Sequence, residues 1–215
     1  MNLQGNYLLK RLFLKAKIKI SIILILLAII FSGIAALFWN NQFVYSLPTP
    51  IPKNYNAVSL GIDIQLPEKL FFKNNKPVFL HFFNPDCPCS RFNISHFKSL
   101  VKQYSNETTF AMVVMSNKNY TARQIQNRFE LNIPVLFDTS IAALCGVYST
   151  PQAVIIDTSQ KLYYRGNYNR SRYCTDKKSN YAQQALDSLL RDNPASVFKG
   201  LALKAYGCEL PRCSK

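Results

Sequence analysis

The sequence predicts an α/β domain, a mixed sheet covered by helices, carried behind one N-terminal transmembrane helix. Three observations predict it. Residues 20–38 contain no charged side chain. Residues 78–83 and 110–115 are continuous apolar runs, as expected of strands buried on both faces of a sheet. Helical and hairpin patterns then give the order strand–helix–strand–helix–strand–strand–helix, with early parallel crossovers and a late hairpin.

The chain has 215 residues, enough for one ordinary domain plus tails. Residues 1–19 carry Lys10, Arg11, Lys15, Lys17 and Lys19 and no acid. The apolar run of 20–38 closes on Trp39. At about 1.5 Å rise per residue it just spans a bilayer core of about 30 Å. The basic flank predicts a single-pass protein of the inner (cytoplasmic) membrane, with residues 1–19 cytoplasmic and everything after Trp39 exported, into the periplasm of a Gram-negative cell. The run exceeds the core of a secretory signal and no Ala-X-Ala site follows at a comfortable distance, which favours an uncleaved signal-anchor over 20–39. The small residues of 33–36 keep a cleaved signal as the alternative.

Of the net charge of +15, five cations lie in 1–19, leaving +10 for the remainder. These cations are scattered and no nucleic-acid motif accompanies them, so they read as a solvated basic surface with no nucleic-acid partner.

Residues 40–57 hold Pro48, Pro50 and Pro52 and no periodicity, and read as an extended Pro-rich tether. The domain is expected over 58–193. Residues 58–66 alternate weakly, as an edge strand would, and 67–75 suit a short helix or turn. After the strand of 78–83, Asn84-Pro85-Asp86 breaks the run. Phe92, Phe97, Leu100, Val101 and Tyr104 then recur at helical spacing. Thr121 can cap a helix over 121–131. Residues 133–137 form a short apolar run. Asp138 and Ser140 can cap a helix over 141–145, ended by Gly146. Residues 153–157 and 161–165 read as a hairpin about a turn at 158–160. Residues 167–179 look like a polar loop, 181–191 a helix and 194–215 a short cysteine-containing tail.

All six cysteines, Cys87, Cys89, Cys145, Cys174, Cys208 and Cys213, lie beyond the apolar run, where export allows disulfides. Spacing alone does not choose among their pairings. Cys87, Cys89 and Ser90 stand where a buried strand turns into a helix. Unpaired N–H groups and the helix dipole there favour thiolate, the reactive form of cysteine. Arg91 adds to that field, whereas Asp86 opposes it. Cys145, on a short apolar helix, reads as a buried inert thiol. Cys174 reads as a disulfide or resolving cysteine. Cys208 and Cys213 either bridge each other or one pairs with Cys174. His81 reads as a satisfied core histidine and His96 as solvent-facing. Arg165, Tyr168, Arg170, Arg172 and Tyr173 read as a solvated loop, and Asp63, Glu68 and Asp86 as surface charge.

The order of elements, the turn Asn84-Pro-Asp-Cys87-Pro-Cys-Ser90, the run Thr150-Pro151-Gln-Ala-Val-Ile-Ile-Asp157 and Leu162-Tyr-Tyr-Arg-Gly166 together resemble the thioredoxin-like superfamily, closest to its membrane-anchored redoxin-type members. The resemblance covers about 58–192. It implies Cys87 as nucleophile and Pro151 as a cis proline facing it, next to Thr150. Ser90 occupies the position of the family's second cysteine, and Cys89 lies one residue early, giving an atypical Cys-Pro-Cys-Ser turn. Three functions follow in order. The first is a thiol–disulfide oxidoreductase acting on exported proteins or small thiols, with Cys87 and Cys89 catalytic, a distant cysteine as alternative resolver, and a separate redox partner. The second is a non-catalytic scaffold. The third is soft-metal handling, copper above all, by Cys87 and Cys89. The first two need no cofactor. No carboxylate pair, Ser-His-Asp, phosphate-loop or HExxH pattern points to a hydrolase or nucleotide-dependent enzyme.

Overall fold

The computed structural model describes residues 3–43, 47–66, 75–170, 174–191, 198 and 200–210. The chain divides into two units, 1–44 and 45–215. The first is a single helix, α1 (Leu3–Phe38), closed by a π-helical turn at Trp39–Phe43. Its length and apolar composition are sufficient to cross a membrane.

The second unit is built on a five-stranded sheet. Its elements in chain order are β1 (Val78–Phe83), α2 (Pro88–Tyr104), β2 (Thr109–Val114), α3 (Ala122–Phe129), β3 (Val135–Leu136), α4 (Ser140–Leu144), β4 (Ser149–Thr150), β5 (Gln152–Ile156), β6 (Leu162–Gly166), α5 (Tyr181–Leu190) and β7 (Cys208–Glu209). The sheet order is β3-β2-β1-β5-β6. β1, β2 and β3 run parallel, and β5 and β6 are antiparallel to their neighbours.

The central position of β1 explains its composition. All six of its residues are buried, because helices cover both faces of the sheet. Phe79, His81 and Phe83 face the side of α2, α3 and α5, where Phe97, Leu100, Ile125 and Leu186 complete a core. Val78, Leu80 and Phe82 face the other side, against Ile141, Ala142 and Cys145. This period-two division puts every bulky residue of an unbroken apolar run into one core or the other. α3 starts at a capping box, in which Thr121 accepts from Gln124 N and the Gln124 side chain accepts from Thr121 N.

The structure corrects four sequence expectations. Residues 58–66 do not form a strand. They follow β6 through irregular bonds, Gly61 N to Leu162 O at 2.8 Å and Ile64 N to Gln160 O at 2.8 Å, and bury Ile64 and Leu66. Gly61, at φ 85°, turns the chain out of extended geometry. Residues 47–57 are not a free tether throughout, since Pro48 bridges Tyr206 and Thr49 N donates to Ala205 O at 2.9 Å. The stretch 200–210, read as part of a tail beyond a domain of 58–193, packs into that domain. Ala202, Ala205 and Cys208 are buried, and Asn167 Nδ2 donates to Leu201 O and Lys204 O, at 2.6 Å each. Two residues read as part of a solvated loop are not solvated: Tyr168 lies in the core, and Arg165, within β6, donates to Val58 O and Cys145 O, whereas Arg170 is exposed. The expectation for 67–75 falls almost wholly outside the described residues, as do Glu68, Arg172, Tyr173 and Cys213.

Candidate functional site: a buried three-cysteine cluster

β1 ends at the C-terminal end of the sheet's central strand, just before Asn84, and α2 begins at Pro88. The turn between them is tied by its own polar groups. Asn84 Oδ1 accepts from Asp86 N at 2.9 Å, and Cys87 N donates to Asn84 O at 3.1 Å. Ser90 is buried, and its Oγ accepts from Asn84 N at 3.1 Å. The residue standing in place of a second family cysteine therefore locks the turn. Cys87 is the N-cap of α2, in extended geometry, and Pro88 occupies the first helical position, where its missing N–H costs nothing. Arg91 lies exposed on the first turn.

Cys87 is fully buried and forms a disulfide with Cys208. Cys89 is 5% exposed, and its Sγ lies 3.8 Å from Cys208 Sγ. The three sulfurs lie within 4.8 Å of one another. Cys87 and Cys89 thus meet a cysteine from the far end of the chain. The pairing alternatives read from the sequence, Cys208 with Cys213 or with Cys174, are replaced by Cys87 with Cys208.

Cys208 is held there by backbone. β7 pairs antiparallel with β4, placing Thr150 opposite Cys208 and Ser149 opposite Glu209. The Thr150–Pro151 bond is cis, as the resemblance implies. Thr49, itself buried, clamps the same layer. Its Oγ1 lies 2.9 Å from Ser149 Oγ and 3.1 Å from Gly207 O. Gly207 has φ 147°, and a Cβ there would collide with the Thr150 carbonyl oxygen. Only glycine allows this approach of strand to strand.

The remaining candidates lie apart from the cluster. Burial pushes the Cys145 thiol up to about 12, against a smaller pull from Arg165, consistent with its reading as inert. Cys174 makes no disulfide. Its Sγ donates to Asn93 Oδ1 at 2.8 Å, and burial pushes it up to about 12. His81 is a core histidine, with Nδ1 2.6 Å from Tyr168 Oη, and desolvation lowers it to about 3. His96 is half-buried rather than solvent-facing, and burial lowers its pKa. Asp86 is more than bare surface charge. Burial raises its pKa, but hydrogen bonds from Tyr120 Oη, at 2.7 Å, and from Lys118 outweigh that and hold the carboxyl below its ordinary value. Sequence reasoning missed Thr49, Ser149 and Gly207. The one local hint was a glycine directly before a cysteine.

The sheet order, the cis proline before β5 and a cysteine at the start of α2 define a thioredoxin-like fold. The chain belongs to the family described as "Domain of unknown function (DUF6436)", whose model matches residues 57–213. No curated protein matches it. Among solved structures it is similar to a hypothetical protein from Sinorhizobium meliloti 1021, at 16% identity and TM-score 0.61, covering 73% of this chain and 96% of that one. It is also similar to an uncharacterized conserved protein from Geobacillus kaustophilus, at 18% identity and TM-score 0.60, covering 75% and 97%. A thiol:disulfide interchange protein of the thioredoxin family from Chlorobium tepidum TLS overlaps more loosely, at 18% identity and TM-score 0.44, covering 67% and 97%. The first two likenesses concern fold.

Proposed function

We propose that the protein is a membrane-tethered thiol–disulfide oxidoreductase acting on exported proteins or small thiols, with Cys87 as nucleophile and Cys208 as its resolving partner. One observation carries this reading: a fully buried disulfide joins the N-cap of α2 to a cysteine paired backbone-to-backbone with Thr150. In the reduced protein the helix start favours the Cys87 thiolate. That thiolate attacks a substrate disulfide, forming one new S–S bond, and one substrate sulfur leaves as a thiolate and takes up a proton. The Cys208 thiolate then attacks Cys87 Sγ and releases the second substrate sulfur. The substrate gains two electrons and the Cys87–Cys208 disulfide re-forms. A dithiol partner returns the pair to the reduced state. The same steps run backwards oxidise a substrate dithiol.

The tether is α1, and its basic flank orients residues 1–19 to the cytoplasm and the sheet domain outward. Protease accessibility in spheroplasts tests the orientation, and protection of the domain from external protease contradicts it.

For the exchange itself, the full-length protein in detergent is equilibrated in thiol–disulfide buffers and its thiols are mapped by mass spectrometry. Cys87 and Cys208 are expected to titrate together, Cys208→Ser to accumulate mixed disulfides on Cys87, and Cys87→Ala to abolish exchange. Retention of exchange in Cys87→Ala sinks the proposal.

A further inference from the structure

The exchange reading uses two of the three clustered sulfurs and leaves Cys89 without a task. Cys89 is not placed as an incidental core thiol. Its Sγ points at Cys208 at 3.8 Å, and Cys87, Cys89 and Cys208 form a buried cluster of their own, separate from both apolar cores. We propose that the reduced protein binds one copper(I) ion through the thiolates of Cys87, Cys89 and Cys208, and that the Cys87–Cys208 disulfide excludes the metal. This goes beyond the exchange reading and does not depend on it.

The geometry suits a trigonal site. A metal–sulfur bond of about 2.3 Å places three sulfurs about 4 Å apart around a central ion. The Cys89–Cys208 separation is already 3.8 Å, and all three sulfurs lie within 4.8 Å. Opening the Cys87–Cys208 bond lets those two sulfurs part to the same distance. The donor set is purely soft, which favours copper(I) or zinc over hard cations. Zinc takes four ligands in structural sites, or three and a water in open ones. Among the described residues no histidine or carboxylate joins the cluster, and the three cysteines are 0%, 5% and 0% exposed. Three soft donors in a closed pocket fit copper(I) better than either zinc arrangement.

The donors are also held on rigid elements. Cys87 and Cys89 sit on a helix start fixed by the Asn84–Ser90 bond, and Cys208 is fixed by the β4–β7 ladder and the Thr49 clamp on Gly207. Such support keeps a site in register without the metal. A dithiol reductant supplies two electrons and two protons to open the disulfide. Three S–H protons then leave to solvent as three Cu–S bonds form, and copper stays in the +1 state throughout.

The test is an anaerobic titration of the reduced full-length protein in detergent with copper(I), in competition with the chromophoric chelator bicinchoninate. One equivalent is expected, with X-ray absorption showing three sulfurs at about 2.3 Å. Cys89→Ser is expected to lose the competition yet still form the Cys87–Cys208 disulfide on oxidation, by thiol mapping. Cys208→Ser is expected to lose copper as well, and Cys174→Ser to keep it. The oxidised wild-type protein is expected not to bind. Failure of reduced wild-type protein to withdraw copper, preference for zinc over copper(I), or undiminished binding by Cys89→Ser overturns the proposal. Copper binding without disulfide exchange defeats only the exchange reading, and exchange without copper binding defeats only the metal site.

Discussion

Removing Cys208 deletes a cross-link between residues 121 apart in sequence. The chain-entropy relation for a loop of that length gives about 16 cal/mol/K, or about 4.9 kcal/mol at room temperature, by restricting the unfolded chain. Measured bridges typically return about 2–4 kcal/mol, so Cys208→Ser is expected to cost about 3–5 kcal/mol. For a domain of this size that is a fall in melting temperature on the order of 10 °C. Differential scanning calorimetry or circular dichroism on the full-length protein in detergent reads it. Three other samples test the cause: wild-type protein in excess reductant, Cys87→Ser, and Cys87→Ser with Cys208→Ser. If one bond is responsible, all three fall to about the level of Cys208→Ser, and the double variant is no worse than either single one. A reductant that leaves the wild-type transition within about 1 °C, or a double variant that sums the two single losses, refutes the reasoning.

Three further predictions follow from named contacts. Gly207→Ala forces a Cβ against the Thr150 carbonyl, so the β4–β7 ladder is expected to open and Cys208 to form the bridge to Cys87 slowly or incompletely, as read by thiol mapping during air oxidation; a normal rate and yield would contradict the role given to that contact. His81 is held neutral by burial, with its pKa lowered from 6.5 to about 3, so the unfolded chain binds the extra proton, and the stability present above pH 6.5 is lost as pH falls toward 3. The slope is about 1.4 kcal/mol per pH unit in that window; His81→Phe combined with Tyr168→Phe, which leaves no stranded hydroxyl, is expected to flatten the melting-temperature profile between about pH 6.5 and 5, and an unchanged slope counts against it. Cys145 and Cys174, both pushed up to about 12, are about one part in ten thousand thiolate at pH 8, so iodoacetamide is expected to label them far more slowly in the native protein than after denaturation, and comparable native and denatured rates would show the burial to be wrong.

Most of the fold was legible because its signals are local. An unbroken apolar run at 78–83 means a strand covered on both faces, and the structure centres the sheet on it. Thr121 with Gln124 is a capping box readable from four residues. The helix start at Cys87 follows from Pro85 and Pro88 around a break in periodicity. The misread stretches are those where tertiary contacts replace periodicity. Residues 58–66 alternate like a strand, but a positive φ at Gly61 and irregular bonding along β6 decide their path. The polar appearance of 167–170 hides Tyr168, whose ring fills the core while its hydroxyl meets His81.

The sequence by itself determined a basic N-terminal segment, an apolar helix, a thioredoxin-like sheet, and a thiol placed where a helix begins. Each is encoded in contiguous runs of sequence or in the order of such runs along the chain. Which cysteine answers Cys87 was decided only in three dimensions. Cys208 lies 121 positions away, and no spacing rule relates the two. The pairing arises because Asn167 holds the carbonyls of 201 and 204, Thr49 holds Gly207, and β7 lies along β4 opposite Thr150. Long-range contacts of this kind depend on how distant segments pair in space, here β4 with β7, which composition and periodicity do not record. The same packing brings Cys89 to the shared cluster and turns a misfit in a familiar turn into a third sulfur at one site.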